Sequence, residues 1–380
     1  MCSLLLRSVV RCSSSRLLKT TRSVSYVLGI ETSCDDTAAA VLTEDGRVLS
    51  SIVSSQWELN AAWKGIVPAL AARAHADNLP HVINAAIEQS GLKSVHQLAA
   101  VAVTSGPGLA PCLDVGLQTA RRICLENPDI VFLQINHLEA HVLVSRLPQL
   151  AISRPEFPFV VLLVSGGHCC LVLARGLGDY ELLGKTVDDS IGEAYDKVAR
   201  MLEITLSNGQ NIHGGKLVED MARRGNDCAF PFTEPMMHRK DCDFSYSGIK
   251  TAMLREVTKL GEIDDKTKED LCSSFQRRAV DHLVTRTRRA CLWSKERVGD
   301  NLSTLVVCGG VASNEYLRRR LQMAAETEGL VAVLPPAKYC TDNAVMVAYA
   351  GLERYAAGMR SDVETARYQP RWPLETLRPM

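Results

Sequence analysis

Aromatic residues make up only 5% of this 380-residue chain. That share argues against a base-stacking sheet of the kind that reads single-stranded RNA. Long apolar runs are also missing. The longest, Phe159 to Ala174, is interrupted by Ser165-Gly166-Gly167-His168, so no membrane span is expected. The thirteen cysteines include no C-x2-C pair and no regular spacing. In a reducing compartment they read as free thiols, mostly small buried apolar residues.

The start of the chain has no acid: the first is Glu31. Residues 1–25 instead hold Arg7, Arg11, Arg16, Lys19 and Arg22 among seven serines. An Arg- and Ser-rich, acid-poor segment has the composition of a mitochondrial presequence. A secretory signal competes for Leu4-Leu5-Leu6 and Val9-Val10, but Arg7 and Arg11 break its apolar core. The expected location is the mitochondrial matrix. Cleavage there takes five of the 43 Lys and Arg residues, leaving 38 bases against 43 acids. Net charge then cannot hold a polyanion, and any nucleic-acid contact needs a local patch.

What is present is a repeated architecture. Tyr26-Val27-Leu28-Gly29-Ile30 reads as a buried strand. A polar turn, Glu31 to Thr37, leads to Ala38–Leu42, and Glu44-Asp45-Gly46 turns into Val48–Val53. Three strands joined by tight polar turns predict an antiparallel meander. About 130 residues later Phe159–Val164, Cys169–Leu173 and Tyr180–Leu183 repeat that order. Helical periodicity covers Ala69 to about Gln89, Pro111 to Arg122, Asp189 to Leu202, Lys266 to Lys295 and a segment from Glu315. The expected fold is α/β, two lobes around a nucleotide cleft, analogous to the duplicated actin-like ATPase fold. The division runs 26–155 for the first lobe, joined by a C-terminal helix 342–380, and 156–341 for the second.

The chain's central stretch is Asn136-His137-Leu138-Glu139-Ala140-His141, after the apolar run Ile130–Ile135. If a helix begins at His137, the two histidines share a face and can converge on one divalent metal. Asp342 opens a later helix, where a carboxylate either caps the helix or joins the histidines as a ligand. Gly106-Pro107-Gly108, Gly166-Gly167 and Gly309-Gly310 each follow a strand, and together they point to one nucleotide site. Asp196 and Glu219 are candidates for ribose hydroxyls, and Asn314 for a base or the ribose.

These stretches together resemble one family. They are Gly29-Ile30-Glu31-Thr32-Ser33-Cys34-Asp35-Asp36-Thr37, His137 to His141, Val164-Ser165-Gly166-Gly167-His168, Asp243-Phe244-Ser245-Tyr246-Ser247-Gly248, Gly309-Gly310-Val311-Ala312-Ser313-Asn314 and Thr341-Asp342-Asn343. The chain is similar, from about Val27 to Gly358, to the tRNA threonylcarbamoyladenosine transferases (TsaD/Kae type), mitochondrial branch. The resemblance implies the actin-like fold and one iron or zinc ion held by His137, His141 and Asp342. It implies that Leu163, Val164, Ser165, Gly166 and Gly167, with Asp196, Gly215, Glu219 and Asn314, bind threonylcarbamoyl-adenylate supplied by a separate synthase. The group would pass to the exocyclic amine of the adenosine 3′ of the anticodon in tRNAs reading ANN codons, within a homodimer. Glu31, Asp35 and Asp36 stand as candidate proton acceptors.

Two positions depart from the family pattern. Ile212-His213-Gly214-Gly215 replaces a Tyr-Pro-Gly-Gly, and Leu163 stands where another branch has a metal-contacting Tyr, so no fourth protein ligand is implied. Arg278, His282, Arg286 and Arg289 share a face of the long helix, and Arg318-Arg319-Arg320 cluster later, as candidate phosphate contacts. A zincin protease is disfavoured, because its order is H-E-x-x-H and here the acid is central. A nucleotide-binding protein without transferase chemistry is the other alternative.

Overall fold

The computed structural model describes residues 25–56, 66–150, 154–204 and 214–379. The presequence, apart from Ser25, lies outside the described residues, as do Ile212 and His213. Two five-stranded mixed sheets form the body. The first holds β1 (Tyr26–Glu31), β2 (Asp36–Thr43), β3 (Val48–Ser55), β4 (Ala100–Gly106) and β5 (Val131–Asn136), in the order β3-β2-β1-β4-β5. The second holds β6 (Phe159–Val164), β7 (Cys169–Gly176), β8 (Asp179–Lys185), β9 (Thr304–Cys308) and β10 (Val331–Val333), ordered β10-β9-β6-β7-β8. In each, an antiparallel meander is followed by parallel strands. The chain thus has the duplicated actin-like ATPase architecture.

The apolar strand runs reflect burial on both faces. Leu28, Ile30, Val101 and Val103 face α1 (Pro68–Gln89) and α2 (Ala110–Glu126). Val27, Ala100 and Ala102 face α3 (His137–Leu143) and a later helix, Ala344–Ala356. The second sheet packs against α4 (Ile191–Met201), α5 (Gly214–Ala222), α6 (Ser247–Leu260), α7 (Asp265–Val298) and α8 (Glu315–Thr327). After β10 come α9 (Ala337–Cys340) and α10 (Ala344–Ala356), which returns the chain to the first sheet. A Cβ at Gly29 would stand 2.3 Å from the Ala344 carbonyl, so glycine lets α10 lie against the β1 backbone.

All seven residues of α3 are buried. Asn136 caps it, its Oδ1 accepting from the N–H groups of Leu138 and Glu139 at 2.9 and 3.1 Å. Ala140 and Leu143 belong to the first lobe's core, whereas Leu138 and Val142 pack on Phe159, Val161 and Leu163 of the second. Between them, fully buried Glu139 accepts from Arg354 Nε of α10 at 2.7 Å, from the Gly178 N–H at 3.1 Å and from the Tyr180 hydroxyl at 3.0 Å. One carboxylate therefore ties both lobes to one helix.

The C-terminal segment corrects the expected helix 342–380. The helix ends at Ala356, and Gly358 follows at φ +76°, the left-handed geometry that glycine supplies at helix ends. The remainder, with Pro370, Pro373 and Pro379, is an extended strap. The Gln369 N–H donates to the Ser105 carbonyl at 2.7 Å, and the Gly108 N–H donates to the Pro370 carbonyl at 3.2 Å. Farther on, Leu374 and Leu377 pack against the second lobe.

Replacing Glu139 by alanine leaves the Arg354 guanidinium buried without its counter-charge, a loss that costs about 3–5 kcal/mol. A urea titration is expected to show a midpoint well below that of the native chain, with Glu139→Gln between the two. Identical midpoints would contradict the role assigned to this clasp.

Candidate metal centre and substrate cleft

The β5–α3 turn sets His137 and His141 one helical turn apart, with their rings edge-on at 4.7 Å. Asp342 enters from the α9–α10 turn. Its Oδ1 lies 3.1 Å from His141 Nε2 and 3.5 Å from His137 Nε2. The donor atoms of all three fall within 4.8 Å of one another. Two imidazoles and a carboxylate, with no fourth protein ligand in that group, are the donors of zinc and non-haem iron sites that keep positions open. The other nitrogen of His137 is also engaged: Nδ1 lies 3.2 Å from Glu31 Oε2 and 3.2 Å from Ser33 Oγ. A carboxylate behind a histidine is the arrangement that orients an imidazole toward a metal. The residues present therefore fit a divalent cation.

Glu31 is fully buried and heavily bonded, accepting from the Ser33 N–H at 2.6 Å and the Thr104 hydroxyl at 2.5 Å. Burial alone would raise its carboxyl, but the His137 imidazole holds it below the usual range. Its place is behind His137, which separates it from the two acids that follow. Burial pushes Asp36 up to about 6, with Asp35, Asp342 and Glu31 adding to the rise and the Ser55 hydroxyl opposing it. The loop carrying these acids rests on His75, a residue that sequence reading passes over. His75 Nε2 donates to the Cys34 carbonyl at 3.1 Å, and Nδ1 meets the Thr37 hydroxyl at 2.8 Å and Gln56 Nε2 at 3.1 Å. A carbonyl only accepts, so Nε2 carries the proton and Nδ1 accepts. Its only sequence signal is a histidine on the apolar face of α1, four residues before Leu79.

Leu163 and Val164 are fully buried within β6, so of the expected loop only Ser165, Gly166 and Gly167 reach the surface. The Ser165 N–H is already bonded to the His168 carbonyl at 2.7 Å. A Cβ built on Gly166 or Gly167 meets nothing within 4 Å, which leaves their backbone open to a ligand. From below, the Ser190 hydroxyl donates to the Gly166 carbonyl at 2.5 Å. Gly192 lets α4 approach, since a Cβ there would lie 2.6 Å from the Ser165 carbonyl. Burial holds His168, at the end of this loop, down to about 4, with the His137 and His141 imidazoles adding to the fall and Asp342 opposing it.

The remaining expected contacts gather at the α4–α5–α8 corner. Asp196 Oδ1 accepts from the Gly215 N–H at 3.2 Å, and buried Glu219 accepts from the Glu315 N–H at 2.8 Å. Asn314 caps α8 and donates to Gln276 Oε1 at 3.0 Å. A cavity of about 200 Å³ opens beside Glu219, Gln276, Tyr316 and Arg319. The first glycine turn does not join this group. A Cβ at Gly106 would stand 1.9 Å from the Gln369 carbonyl, so that turn seats the strap rather than a phosphate. Gly309, at φ +91°, instead lets the β9 turn pass the Val164 carbonyl, 2.3 Å from a built Cβ.

The basic face of the long helix is corrected at two of its positions. His282 and Arg286 are buried, and Arg286 donates to the carbonyls of Met236, Arg239 and Asp241 at 2.6–2.8 Å. Arg318 likewise donates to the carbonyls of Ala312, Leu334 and Pro335. These cations close loops, because a guanidinium has five donors for chain ends that need them.

Comparison with known proteins accords with this geometry. The family model of tRNA N6-adenosine threonylcarbamoyltransferase (TsaD) matches residues 47–349. A protein of that name from Anaplasma phagocytophilum (strain HZ) is 43% identical over 353 residues, 92% of this chain and 98% of that protein. A probable mitochondrial tRNA N6-adenosine threonylcarbamoyltransferase of Arabidopsis thaliana is 43% identical over 368 residues, 92% of this chain and 74% of that protein. Among solved structures, HypF of T. kodakarensis superposes with a TM-score of 0.55 at 16% identity. That match covers 88% of this chain and 48% of HypF, a likeness of fold alone.

Asp36 gives a test in solution. Its folded value near 6 lies above its ordinary 3.8, so the folded chain binds this proton more tightly than the unfolded one. The associated stability is present below about pH 4 and lost as pH rises through 6. Asp36→Asn is therefore expected to melt above the native chain at pH 7.5, with the gap closing toward pH 4. A constant gap across that range would contradict the assignment.

Proposed function

The chain belongs to the tRNA N6-adenosine threonylcarbamoyltransferase family, and we propose that it transfers the threonylcarbamoyl group from threonylcarbamoyl-adenylate to the exocyclic amine of the adenosine 3′ of the anticodon. The acceptors are mitochondrial tRNAs reading ANN codons, and AMP leaves. The observation that carries this reading is the convergence of His137, His141 and Asp342 from two distant segments on one point, with the Glu31 carboxylate behind His137. Support for the mitochondrial setting comes from the acid-free first 25 residues and from the plant relative's name. Among the described residues no helix is long and apolar enough to cross a membrane. A separate synthase supplies the adenylate, and the working unit is a homodimer.

His137, His141 and Asp342 hold one iron or zinc ion, and Glu31 and Ser33 keep the His137 ring turned toward it. That cation, when bound, supplies Lewis-acid polarisation of the threonylcarbamoyl oxygens. The Gly166 and Gly167 N–H groups face the carbonyl oxygen that gains charge during transfer, while Ser190 and Gly192 brace them from below. Asp196, Gly215, Glu219 and Asn314 grip the adenylate's ribose and base, which aligns a weak aryl-amine nucleophile with its target. With Glu31 committed to His137, Asp35 and Asp36 remain as proton acceptors. Asp36, raised to about 6, is ionised near neutrality yet basic enough to take the amine's proton.

The test supplies residues 26–380 with threonylcarbamoyl-adenylate and an unmodified mitochondrial tRNA for an ANN codon, with His137→Ala in parallel. Nucleosides are read by mass spectrometry. Threonylcarbamoyladenosine is expected from the native chain and at least a hundredfold less from the variant, the order of a lost electrostatic contact in a transition state. Nucleotide binding without product from either chain would instead favour a binding protein of this fold.

A further inference from the structure

The C-terminal strap does more than join the lobes. From Arg367 to Trp372 its sequence is Arg-Tyr-Gln-Pro-Arg-Trp, two cations alternating with two aromatics and no acid. The backbone of this run is held against the C-terminal ends of β4 and β5. Gln134 Nε2 donates to the Arg367 carbonyl at 2.8 Å, the Gln369 N–H to the Ser105 carbonyl at 2.7 Å, the Gly108 N–H to the Pro370 carbonyl at 3.2 Å, and Asn136 Nδ2 to the Trp372 carbonyl at 2.9 Å. Asn136 is the residue before His137, so the strap's anchor adjoins a metal-binding position.

With the backbone engaged, the side chains from Arg367 to Arg371 are left outside, while Trp372 is half-buried. Arg367 and Arg371 are exposed, and Tyr368 retains 38% of its surface. Arg367 bonds only to its neighbour's carbonyl, and Arg371 has no ion pair or hydrogen bond among the described residues. By contrast, the arginines of the long helix are largely absorbed: Arg286 by carbonyls, Arg288 by Glu328. In a chain whose mature charge is mildly acidic, unpaired cations interleaved with an exposed aromatic ring mark a local patch for a polyanion that carries bases. The edge formed by C-terminal strand ends is also where α/β folds present ligands.

We propose that the strap segment Arg367–Trp372 is the surface that receives the tRNA substrate, its two arginines meeting phosphates and Tyr368 stacking on an unpaired base near the target adenosine. The assignment rests on the transferase reading. Because the backbone is pinned, the patch is ordered before tRNA arrives, and little entropy is lost on binding.

Binding of the unmodified tRNA to the full chain is measured by filter retention at several salt concentrations, beside steady-state kinetics. Arg367→Gln/Arg371→Gln and Tyr368→Ala are each expected to raise the Kd and KM for tRNA about tenfold, the order of a lost stacking or phosphate contact. The KM for the adenylate stays unchanged. The arginine pair should also flatten the slope of log Kd against log salt by about 1–2, and Arg367→Lys/Arg371→Lys should restore most of the affinity. Arg371→Gln alone, which breaks no contact, repeats the test if the double variant is poorly folded. An unchanged tRNA Kd and slope would overturn the proposal. So would a shift in oligomeric state with tRNA binding intact, which would make the strap a protein interface. A native chain that binds tRNA through the strap yet forms no threonylcarbamoyladenosine would leave this surface standing and remove the transferase reading.

Discussion

The structure depends on a seven-residue helix that belongs to both lobes at once. Each residue of His137–Leu143 is buried, and its faces are divided among three tasks. Ala140 and Leu143 complete one core, Leu138 and Val142 complete the other, and the histidines face Asp342. Glu139 closes the arrangement by binding Arg354, Tyr180 and the Gly178 N–H. A central acid that looks like a displaced protease base is thus the joint of the molecule. Moving that helix by a fraction of an ångström would disturb both cores and the triad together, because close-packed interiors transmit displacement rather than absorb it.

Around this joint, neighbouring chain segments hold the candidate site's groups from behind. Glu31 and Ser33 fix His137, His75 carries the Cys34–Asp36 loop, and Ser190 supports Gly166. None of these supports needs to touch substrate. Their common property is that each satisfies a buried polar group that would otherwise be costly, so stability and alignment come from the same bonds. The strap adds an outer layer to this support, since its Trp372 carbonyl holds the Asn136 cap of the same helix.

Much of this was legible in the sequence. The two meanders follow from short apolar runs separated by polar turns, and both formed in the expected order. His137 and His141 are neighbours along the chain, so helical spacing alone puts them on one face. Asp342 lies about 200 positions away; its place before a helix left cap and ligand both open, and the family resemblance decided for the ligand. What remained hidden was contact between distant segments. Gly106-Pro107-Gly108 has the look of an anion loop, yet its glycines make room for Gln369 and Ser33. Arg286 matches a solvated basic face by periodicity, but loop carbonyls from Met236 to Asp241 cover it. Helical continuation past Ala356 failed because Gly358 and the later prolines favour an extended path, and no periodicity reports where such a path docks. Leu163 and Val164 show the same limit, for a motif names a segment without saying which of its residues leave the strand.

The central claim is that one cation sits between His137, His141 and Asp342. X-ray absorption at the edge of the metal co-purifying with the full chain tests it most directly. The account predicts a first shell of nitrogen and oxygen with the outer-shell scattering of two imidazoles, reduced to one in His141→Ala. A shell without imidazole, or one unchanged in that variant, would contradict it.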